Sequence, residues 1–198
     1  DICENLYQDM REKAATITDR EVYGMMLGDI VHENMSLYTY YVAGLKSLNF
    51  QMFNIIGNHD HDLSATTDVE GARRFEENFG PSYYSFNVGK IHYIVLNDNF
   101  FVGRDWYYIG YLDERQLRWL ENDLSYIPKG SQIVVSMHIP TTLDKSDRDA
   151  FRTDIMLDNL CNKPALYKML EPYKTLILSG HMHTADYEQI SDNITEIN

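Results

Sequence analysis

The chain has 198 residues and a mass of 23.1 kDa, a size that suits one domain with a sizeable buried core. Hydrophobic residues make up 44% of it and charged residues 24%, as in ordinary globular proteins, so intrinsic disorder is not expected. The formal net charge of −13 repels the nucleic-acid backbone and disfavours general binding of DNA or RNA. No apolar run reaches the roughly 18 residues that a membrane-spanning helix needs. The two cysteines, Cys3 and Cys161, cannot form a disulfide framework and leave the redox compartment open.

The first part of the chain alternates helical patterns with short apolar runs. Apolar residues that recur at helical spacing indicate helices, and continuous apolar runs of a few residues indicate buried strands. Helices are predicted at residues 4–18, at Tyr38–Leu48 behind a cap at Asn34, and at Thr66–Phe79 before Gly80-Pro81; strands are predicted at Val22–Leu27 and Met52–Ile56.

The second part of the chain begins with a predicted hairpin. Its strands are Tyr83–Phe86 and Ile91–Leu96, joined by Asn87-Val88-Gly89-Lys90. Asp113 can cap a helix that carries Leu117, Leu120 and Leu124. Further elements are predicted as buried strands at Ile133–Val135 and Leu176–Leu178, with a helix at Lys163–Tyr173 between them.

Strands that alternate with helices favour an α/β architecture. The apolar runs lack polar alternation, which is typical of strands that are buried on both faces. The predicted hairpin indicates that part of the sheet is antiparallel.

Four of the predicted strands are followed directly by polar residues that can bind a metal ion. In open α/β sheets, ligands bind beyond the carboxyl ends of the strands, so these residues are expected to converge. Carboxylate and amide oxygens with imidazole nitrogens suit divalent ions such as Mn, Fe or Zn. The four segments are Gly28-Asp29, Gly57-Asn58-His59-Asp60, His138-Ile139-Pro140 and Gly180-His181-Met182-His183. Their glycines allow sharp turns at the strand ends.

Each of these motifs also has an ordinary structural interpretation. Gly-Asp after a strand is most often a turn, and an isolated histidine such as His138 is more often a hydrogen-bonded structural residue. The Gly57–Asp60 segment is more specific, because four demanding residues follow an apolar strand. All four motifs together favour a metal site.

The order of the motifs, GD, GNHD, H-x-P and GHMH, resembles the signature of the calcineurin-like metallophosphoesterase superfamily. Residues Gly80–Phe86 and Leu112–Leu124 are also similar to segments of its bacterial members, the latter to their Q-L-x-W-L helix. The resemblance covers roughly residues 20–185. It implies an α/β fold of four layers, a two-sheet sandwich of mixed sheets flanked by helices.

The resemblance implies two divalent metal ions, with Mn, Fe or Zn as candidates. Asp29 would bridge the two ions. Asn58, His138 and His181 would complete one metal site with it, and His183 would bind the other ion. The reaction implied is hydrolysis of a phosphate mono- or diester by a metal-activated hydroxide. His59 would donate a proton or bind phosphate, and Asp60 would orient it.

The superfamily usually begins with a strand that ends in D-x-H, and no such strand is found here. Asp1-Ile2-Cys3 is the nearest candidate, but it follows no apolar run and has Cys where His is expected. We therefore expect a single catalytic domain over residues 1–198 that is truncated at its N-terminus. It is also expected to be short at its C-terminus, because Thr184–Asn198 leaves little room for closing strands. One metal site should be incomplete, so the chain should bind one metal ion better than two.

Several other polar residues allow two interpretations. His32 and Glu33 follow the Gly-Asp motif and could approach the site, but they are interpreted as an exposed loop pair. His61 and Asp62 are equally consistent with a solvated loop and with a position near the site. His92 lies in an apolar strand and is interpreted as structural.

An aromatic cluster precedes the helix that Asp113 caps. It is interpreted as a flap over the core, with a wall of the substrate cleft as the alternative. Its members are Phe100, Phe101, Trp106, Tyr107, Tyr108 and Tyr111. The polar connection Thr141–Asn159 is long, and connections of that length often cover active sites.

The predicted function is hydrolysis of a small phosphorylated substrate. The alternative is a scaffold that keeps the fold without catalysis; a nuclease of the same superfamily is less favoured because the chain is acidic. The sequence leaves open the substrate, the native metal and the oligomeric state. The compartment is also open, and an extracytoplasmic location is suggested by analogy alone.

Overall fold

The computed structural model describes residues 2–103, 107–142 and 155–198 and shows an α/β protein with mixed sheets. The α/β class predicted from the sequence is confirmed. The helices are α1 (Ile2–Ala15), α2 (Tyr38–Leu45), α3 (Asp68–Phe79), α4 (Glu114–Leu124), α5 (Ile155–Asp158) and α6 (Lys163–Leu170). The strands are β1 (Tyr23–Met26), β2 (Gln51–Asn54), β3 (Tyr84–Val88), β4 (Ile91–Val95), β5 (Asn99–Gly103), β6 (Tyr107–Gly110), β7 (Gln132–Ser136), β8 (Lys174–Leu178), β9 (Tyr187–Gln189) and β10 (Ile194–Ile197).

The main sheet has six strands in the order β3-β4-β7-β8-β10-β9. Its inner strands β4, β7, β8 and β10 are parallel, and the antiparallel strands β3 and β9 lie at the two edges. Ile94, Val135 and Ile177 are fully buried in the inner strands. This burial explains why the inner strands read as nearly continuous apolar runs.

Strands β1 and β2 form a separate parallel pair that packs against the main sheet. The ring of Phe53 stacks on that of Phe86 with centroids 4.0 Å apart, and Phe86 stacks on Tyr93 at 5.1 Å. The hydroxyl of Ser136 in β7 lies 3.4 Å from the sulfur of Met25 in β1. These contacts join the two sheets into the sandwich that the resemblance implied.

Side-chain caps begin the two amphipathic helices α3 and α4. The hydroxyl of Thr67 accepts a hydrogen bond from the backbone N–H of Glu70 at 3.3 Å, and the carboxylate of Asp113 accepts one from Gln116 at 2.6 Å. Helix α3 ends at Gly80, as predicted, where φ is 91°. Among the described residues, no helix has the length and apolar composition that crossing a membrane requires.

The expectation that the C-terminal segment has little room for strands is wrong. Strands β9 and β10 occupy it, and β10 lies inside the main sheet, parallel to β8. Polar and apolar residues alternate through Ile194–Ile197, and Ser191-Asp192-Asn193 supplies a turn. This pattern is typical of a hairpin.

The aromatic segment before α4 forms a third, two-stranded sheet, the hairpin β5-β6. It packs against α3 and α5. Trp106 of the predicted aromatic cluster lies outside the described residues, as do residues 143–154 of the predicted long connection.

Candidate metal centre

The polar strand ends that were predicted to share a metal ion meet at one edge of the sandwich. β1 is parallel to β2, and β7 is parallel to β8, so within each pair the carboxyl ends lie on the same side. Two glycines allow the loops after these strands to approach closely, Gly57 within the β1-β2 pair and Gly28 between the two pairs. A Cβ atom on Gly57 would lie 2.2 Å from the backbone nitrogen of Asp29, and one on Gly28 would lie 2.3 Å from Nδ1 of His138.

Four of the predicted ligands face one another at this edge. Nε2 of His138 lies 3.3 Å from Oδ2 of Asp29 and 3.0 Å from Oδ1 of Asn58. It also lies 3.2 Å from Nδ1 of His181. Asp29, His138 and His181 each offer a ligand atom, and these three atoms all lie within 4.8 Å of one another.

The proton on His138 can be assigned from its surroundings. Its Nδ1 lies 2.6 Å from the carbonyl oxygen of Leu27, an acceptor, so Nδ1 carries the proton and donates it. In the neutral imidazole, Nε2 is then a bare lone pair. That lone pair faces the carboxylate of Asp29 and the amide oxygen of Asn58, which are also acceptors. A cation bound between these atoms would remove the repulsion between three acceptors. A histidine whose other nitrogen donates to a backbone carbonyl is an ordinary metal ligand.

The electrostatics of the group favour a positive charge among these side chains, which a proton on His138 or a bound cation can supply. Burial, the largest single effect, lowers the pKa of His138, but the hydrogen bond and the charge of Asp29 outweigh it and raise the net pKa. Burial alone would raise the pKa of Asp29, but contact with His138 brings it down to about 2. Burial and then the charge of His138 lower the pKa of His181 to about 4, so its imidazole is neutral near pH 7 and suited to metal binding.

Backbone strain is concentrated in the same loops. A non-glycine residue with positive φ is uncommon, and strain of this kind costs about 1–3 kcal/mol per residue. In the described part of the chain, the non-glycine residues with positive φ are Asp29 (53°), Glu33 (63°), His181 (72°) and His183 (55°). All of them follow β1 or β8, which are two of the strands that end at the site.

The loop after β2 is held in place by Asp60, whose carboxylate is fully buried. It accepts hydrogen bonds from the backbone N–H groups of Gly57 at 2.9 Å and Ile30 at 3.1 Å, and from the hydroxyl of Tyr38 at 3.0 Å. Within the described residues, no hydrogen bond joins this carboxylate to the imidazole of His59. Asp60 therefore fixes the loop, because buried backbone donors need its oxygens. That it also orients the ring of His59 stays a prediction.

His59 lies partly exposed at the rim of the ligand group. Its backbone N–H donates to Oδ1 of Asp29 at 3.0 Å. Its Nδ1 atom lies 3.0 Å from Nδ1 of His32 and 3.3 Å from Oε1 of Glu33. His32 and Glu33 are exposed, as interpreted from the sequence, yet they contact the histidine that was expected to donate the proton.

The remaining predicted ligand, His183, is exposed and does not belong to the compact ligand group among the described residues. Its role as a ligand of a second metal ion stays a prediction. The ring of Tyr108, from the hairpin β5-β6, meets the ring of His181 edge-on with centroids 6.0 Å apart. The other ring nitrogen of His181, Nε2, lies 3.7 Å from the carboxylate of Asp158.

Asp98 is a buried carboxylate that the sequence analysis missed. It accepts hydrogen bonds from the backbone N–H groups of His138 at 3.1 Å and Ile139 at 2.8 Å, so it orders the loop that presents the imidazole. Burial raises its pKa to about 7. Asp98 comes just after the buried run Ile91–Leu96, the same pattern that identified the other four strand ends. The signal was therefore present in the sequence.

Two other histidines, His92 and His61, are buried, and they differ in whether their ring nitrogens have hydrogen-bond partners among the described residues. Nδ1 of His92 lies 2.9 Å from Oδ1 of Asn87, and Nε2 lies 2.8 Å from Oδ2 of Asp123, which confirms its structural role. His61 is buried, so it does not lie in a solvated loop. Both of its ring nitrogens lack a hydrogen-bond partner in the described part of the chain, and burial lowers its pKa to about 4.

Comparison with protein families settles the class of the protein. A family model described as calcineurin-like phosphoesterase matches residues 3–185, a range that includes all four strand-end motifs. The chain belongs to the calcineurin-like phosphoesterase family. The resemblance found in the sequence is thereby confirmed.

Calcineurin-like phosphoesterases that are similar in sequence include two named phosphatases. The serine/threonine-protein phosphatase CPPED1 of Homo sapiens is 28% identical over 134 residues, and purple acid phosphatase 15 of Arabidopsis thaliana is 30% identical over 143 residues. Each alignment covers 65% of this chain, but only 41% of the human protein and 24% of the plant protein. The chain thus spans less than half the length of these relatives.

Two solved structures share the fold. A purple acid phosphatase from yellow lupin (Lupinus luteus) seeds superposes with a TM-score of 0.63 at 14% identity, over 98% of this chain and 38% of that one. A phosphopantetheinyl hydrolase from Mycobacterium tuberculosis gives a TM-score of 0.57 at 11% identity, over 94% of this chain and 82% of that one. These superpositions confirm the predicted architecture.

Proposed function

We propose that this chain is a metal-dependent phosphoesterase that hydrolyses a small phosphate mono- or diester. The observation that carries the proposal is the arrangement around His138, whose Nε2 lone pair faces the oxygens of Asp29 and Asn58. Membership of the calcineurin-like family and the named phosphatases among its relatives support the same reaction class.

The ligand group suits Mn, Fe or Zn, because it combines carboxylate and amide oxygens with imidazole nitrogens. Asp29, Asn58, His138 and His181 are the proposed ligands of one ion, and Asp29 with His183 would contribute to a second. When bound, such ions polarise phosphoryl oxygens and lower the pKa of water, so that water can attack phosphorus near neutral pH. We propose that one ion is held more firmly than the other.

The other residues of the site have proposed roles that follow from their contacts. His59 lies at the rim, where its imidazole can donate a proton to the departing oxygen of the ester. The bond from its backbone N–H to Asp29 fixes its distance from the metal ligands. Asp60 and Asp98 are positioning residues, because they hold the backbones of the loops that carry His59 and His138.

Hydrolysis of p-nitrophenyl phosphate and bis(p-nitrophenyl) phosphate tests the proposal. The chain is stripped of metal with a chelator and assayed before and after addition of Mn²⁺. The wild type should cleave at least one ester only after Mn²⁺ is added. Asp29→Asn should lower that rate by about 100-fold or more, because it removes the charge nearest to the ion. Asp192→Asn, in the exposed turn between β9 and β10, is the matched control and should leave the rate unchanged.

Two results would contradict the proposal. Equal rates for wild type and Asp29→Asn would show that the site is not responsible for the hydrolysis. A wild-type chain that binds Mn²⁺ but cleaves neither ester would favour the alternative, a scaffold that keeps the fold without catalysis.

A further inference from the structure

A second set of metal-ligating atoms lies beside the main ligand group, at its solvent-facing rim. His32 and Glu33 come from the loop after β1, and His59 comes from the loop after β2. Each offers one ligand atom, and these three atoms all lie within 4.8 Å of one another. The set shares no residue with the group of Asp29, His138 and His181.

The distances suit a small divalent ion. In tetrahedral zinc sites the bonds are about 2.0–2.2 Å long, which puts neighbouring ligand atoms roughly 3.4 Å apart. Nδ1 of His59 lies 3.0 Å from Nδ1 of His32 and 3.3 Å from Oε1 of Glu33. A shift of a few tenths of an ångström in exposed side chains would open this space to the size of the ion.

The backbone holds the three residues in this arrangement. The backbone N–H of Glu33 donates to the carbonyl oxygen of His59 at 3.0 Å, which ties the two loops together. Glu33 has a φ of 63°, a conformation that non-glycine residues rarely adopt. The rings of His32 and His59 meet nearly at right angles, with centroids 4.2 Å apart.

We propose that His32, Glu33 and His59 form a rim site for a zinc ion, separate from the metal centre at Asp29. Two imidazole nitrogens and one carboxylate oxygen are a ligand set that zinc uses in proteins with the fourth position open. Glu33 and His59 are each about one third exposed, so solvent can supply that fourth ligand. The formal net charge of −13 attracts cations to the surface.

The rim ion would inhibit hydrolysis. Zinc at Nδ1 of His59 would prevent this ring from forming the imidazolium that the proposed proton donation requires, and the N–H that stays at Nε2 of a zinc-bound imidazole is a far weaker acid than an imidazolium. This consequence depends on the proposed function, whereas binding of the ion does not. Zinc would therefore have two effects: it would fill the main centre first and slow the reaction when it reaches the rim.

The test counts the zinc ions that the stripped 198-residue chain retains after equilibrium dialysis against Zn²⁺. Wild type is compared with His32→Ala, Glu33→Gln and the control Glu77→Gln, which removes an exposed carboxylate from α3. We expect His32→Ala and Glu33→Gln each to retain one zinc ion fewer than wild type. Glu77→Gln should retain the same number as wild type. Circular dichroism checks that all four proteins are folded.

Inhibition of the hydrolysis rate by zinc gives a second, independent test. With Mn²⁺ in the main centre and an alkyl phosphate ester as substrate, added zinc should inhibit wild type at a concentration about tenfold or more below that needed for His32→Ala. The rim site is overturned if all four proteins retain equal numbers of zinc ions. It is also overturned if His32→Ala loses every zinc ion, because His32 would then support the centre at Asp29. Failure of hydrolysis alone contradicts the proposed function and leaves the zinc count as the test of the rim site.

Discussion

The proposed role of His59 is to protonate the oxygen that leaves phosphorus. Replacing it by alanine should slow hydrolysis of an alkyl phosphate ester by about 100-fold, a typical contribution of general acid catalysis. Hydrolysis of a p-nitrophenyl ester should slow much less, because p-nitrophenolate leaves without protonation. The measurement is kcat/KM for both substrates with wild type and His59→Ala.

The two substrates serve as internal controls for each other. An equal loss on both esters would mean that His59 binds phosphate or supports the metal centre, and the acid role would be abandoned.

Substitutions of the two buried histidines, His61 and His92, should change the free energy of unfolding in opposite directions. His61→Leu should raise the free energy of unfolding by about 1 kcal/mol near pH 8, because it removes two buried nitrogens that have no hydrogen-bond partner among the described residues. His92→Leu should lower it by about 1–3 kcal/mol, because it leaves Asn87 and Asp123 without their partner. Denaturant unfolding of both variants checks the opposite signs.

The pH dependence of the His61 effect has a definite sign. Burial lowers the pKa of His61 to about 4, so below the ordinary value near 6.5 the unfolded chain binds a proton that the folded chain refuses. Wild type should therefore lose stability from this group as pH falls. The advantage of His61→Leu should be about 2 kcal/mol larger near pH 5 than near pH 8. An advantage that shrinks on acidification would contradict this account.

Individual site residues could be predicted from the sequence where they come directly after a buried strand. Asp29, Asn58, His138 and His181 follow buried strands directly, and parallel strands bring such residues to one edge. The contact of His32 and Glu33 with His59 could not be predicted. It depends on the positive φ of Glu33 and on one hydrogen bond between loops, and neither leaves a sequence pattern.

Strand β10 supports two loops of the candidate metal centre through the buried carboxylate of Glu196. This carboxylate accepts hydrogen bonds from the backbone N–H of Thr141, from the hydroxyl of Thr142 and from the hydroxyl of Ser179, each at 2.9 Å. Thr141 follows the His138 loop, and Ser179 precedes His181. One side chain therefore braces two of the loops that supply ligands.

Replacing Glu196 by glutamine should weaken this brace. The new amide group presents N–H donors to other donors, so the free energy of unfolding should fall by about 1–3 kcal/mol. Affinity for Mn²⁺ should fall by about 10-fold or more, as for other groups that orient metal ligands. Thermal unfolding and Mn²⁺ titration measure the two effects, with the exposed Asp192→Asn as the control. Unchanged affinity for Mn²⁺ would show that β10 does not orient the ligands.

The elements themselves were predictable where the hydrophobic pattern was continuous. The inner strands β4, β7 and β8 are apolar runs, and α3 and α4 have clear caps, so their positions follow from the sequence. The hairpins β5-β6 and β9-β10 were missed. Their strands are short and carry polar or aromatic residues, and pairing with the rest of the fold decides their conformation.

Across the whole protein, metal binding should increase stability, because the ligands are brought together only in the folded chain. An ion present at 100 times its dissociation constant adds about 2.7 kcal/mol. For a chain of this size that corresponds to a rise in Tm of roughly 5–10 °C. Wild type should show this rise with Mn²⁺, and Asp29→Asn should show almost none. An equal rise in Tm for wild type and Asp29→Asn would show that the ion binds elsewhere.

The most direct test of the central claim is an anomalous difference map from a crystal of the chain soaked in Mn²⁺. We predict a peak within about 2.5 Å of the carboxylate of Asp29 and of Nε2 of His138. Asn58 and His181 should complete its coordination. Clear density for these four side chains with no peak between them would contradict the account.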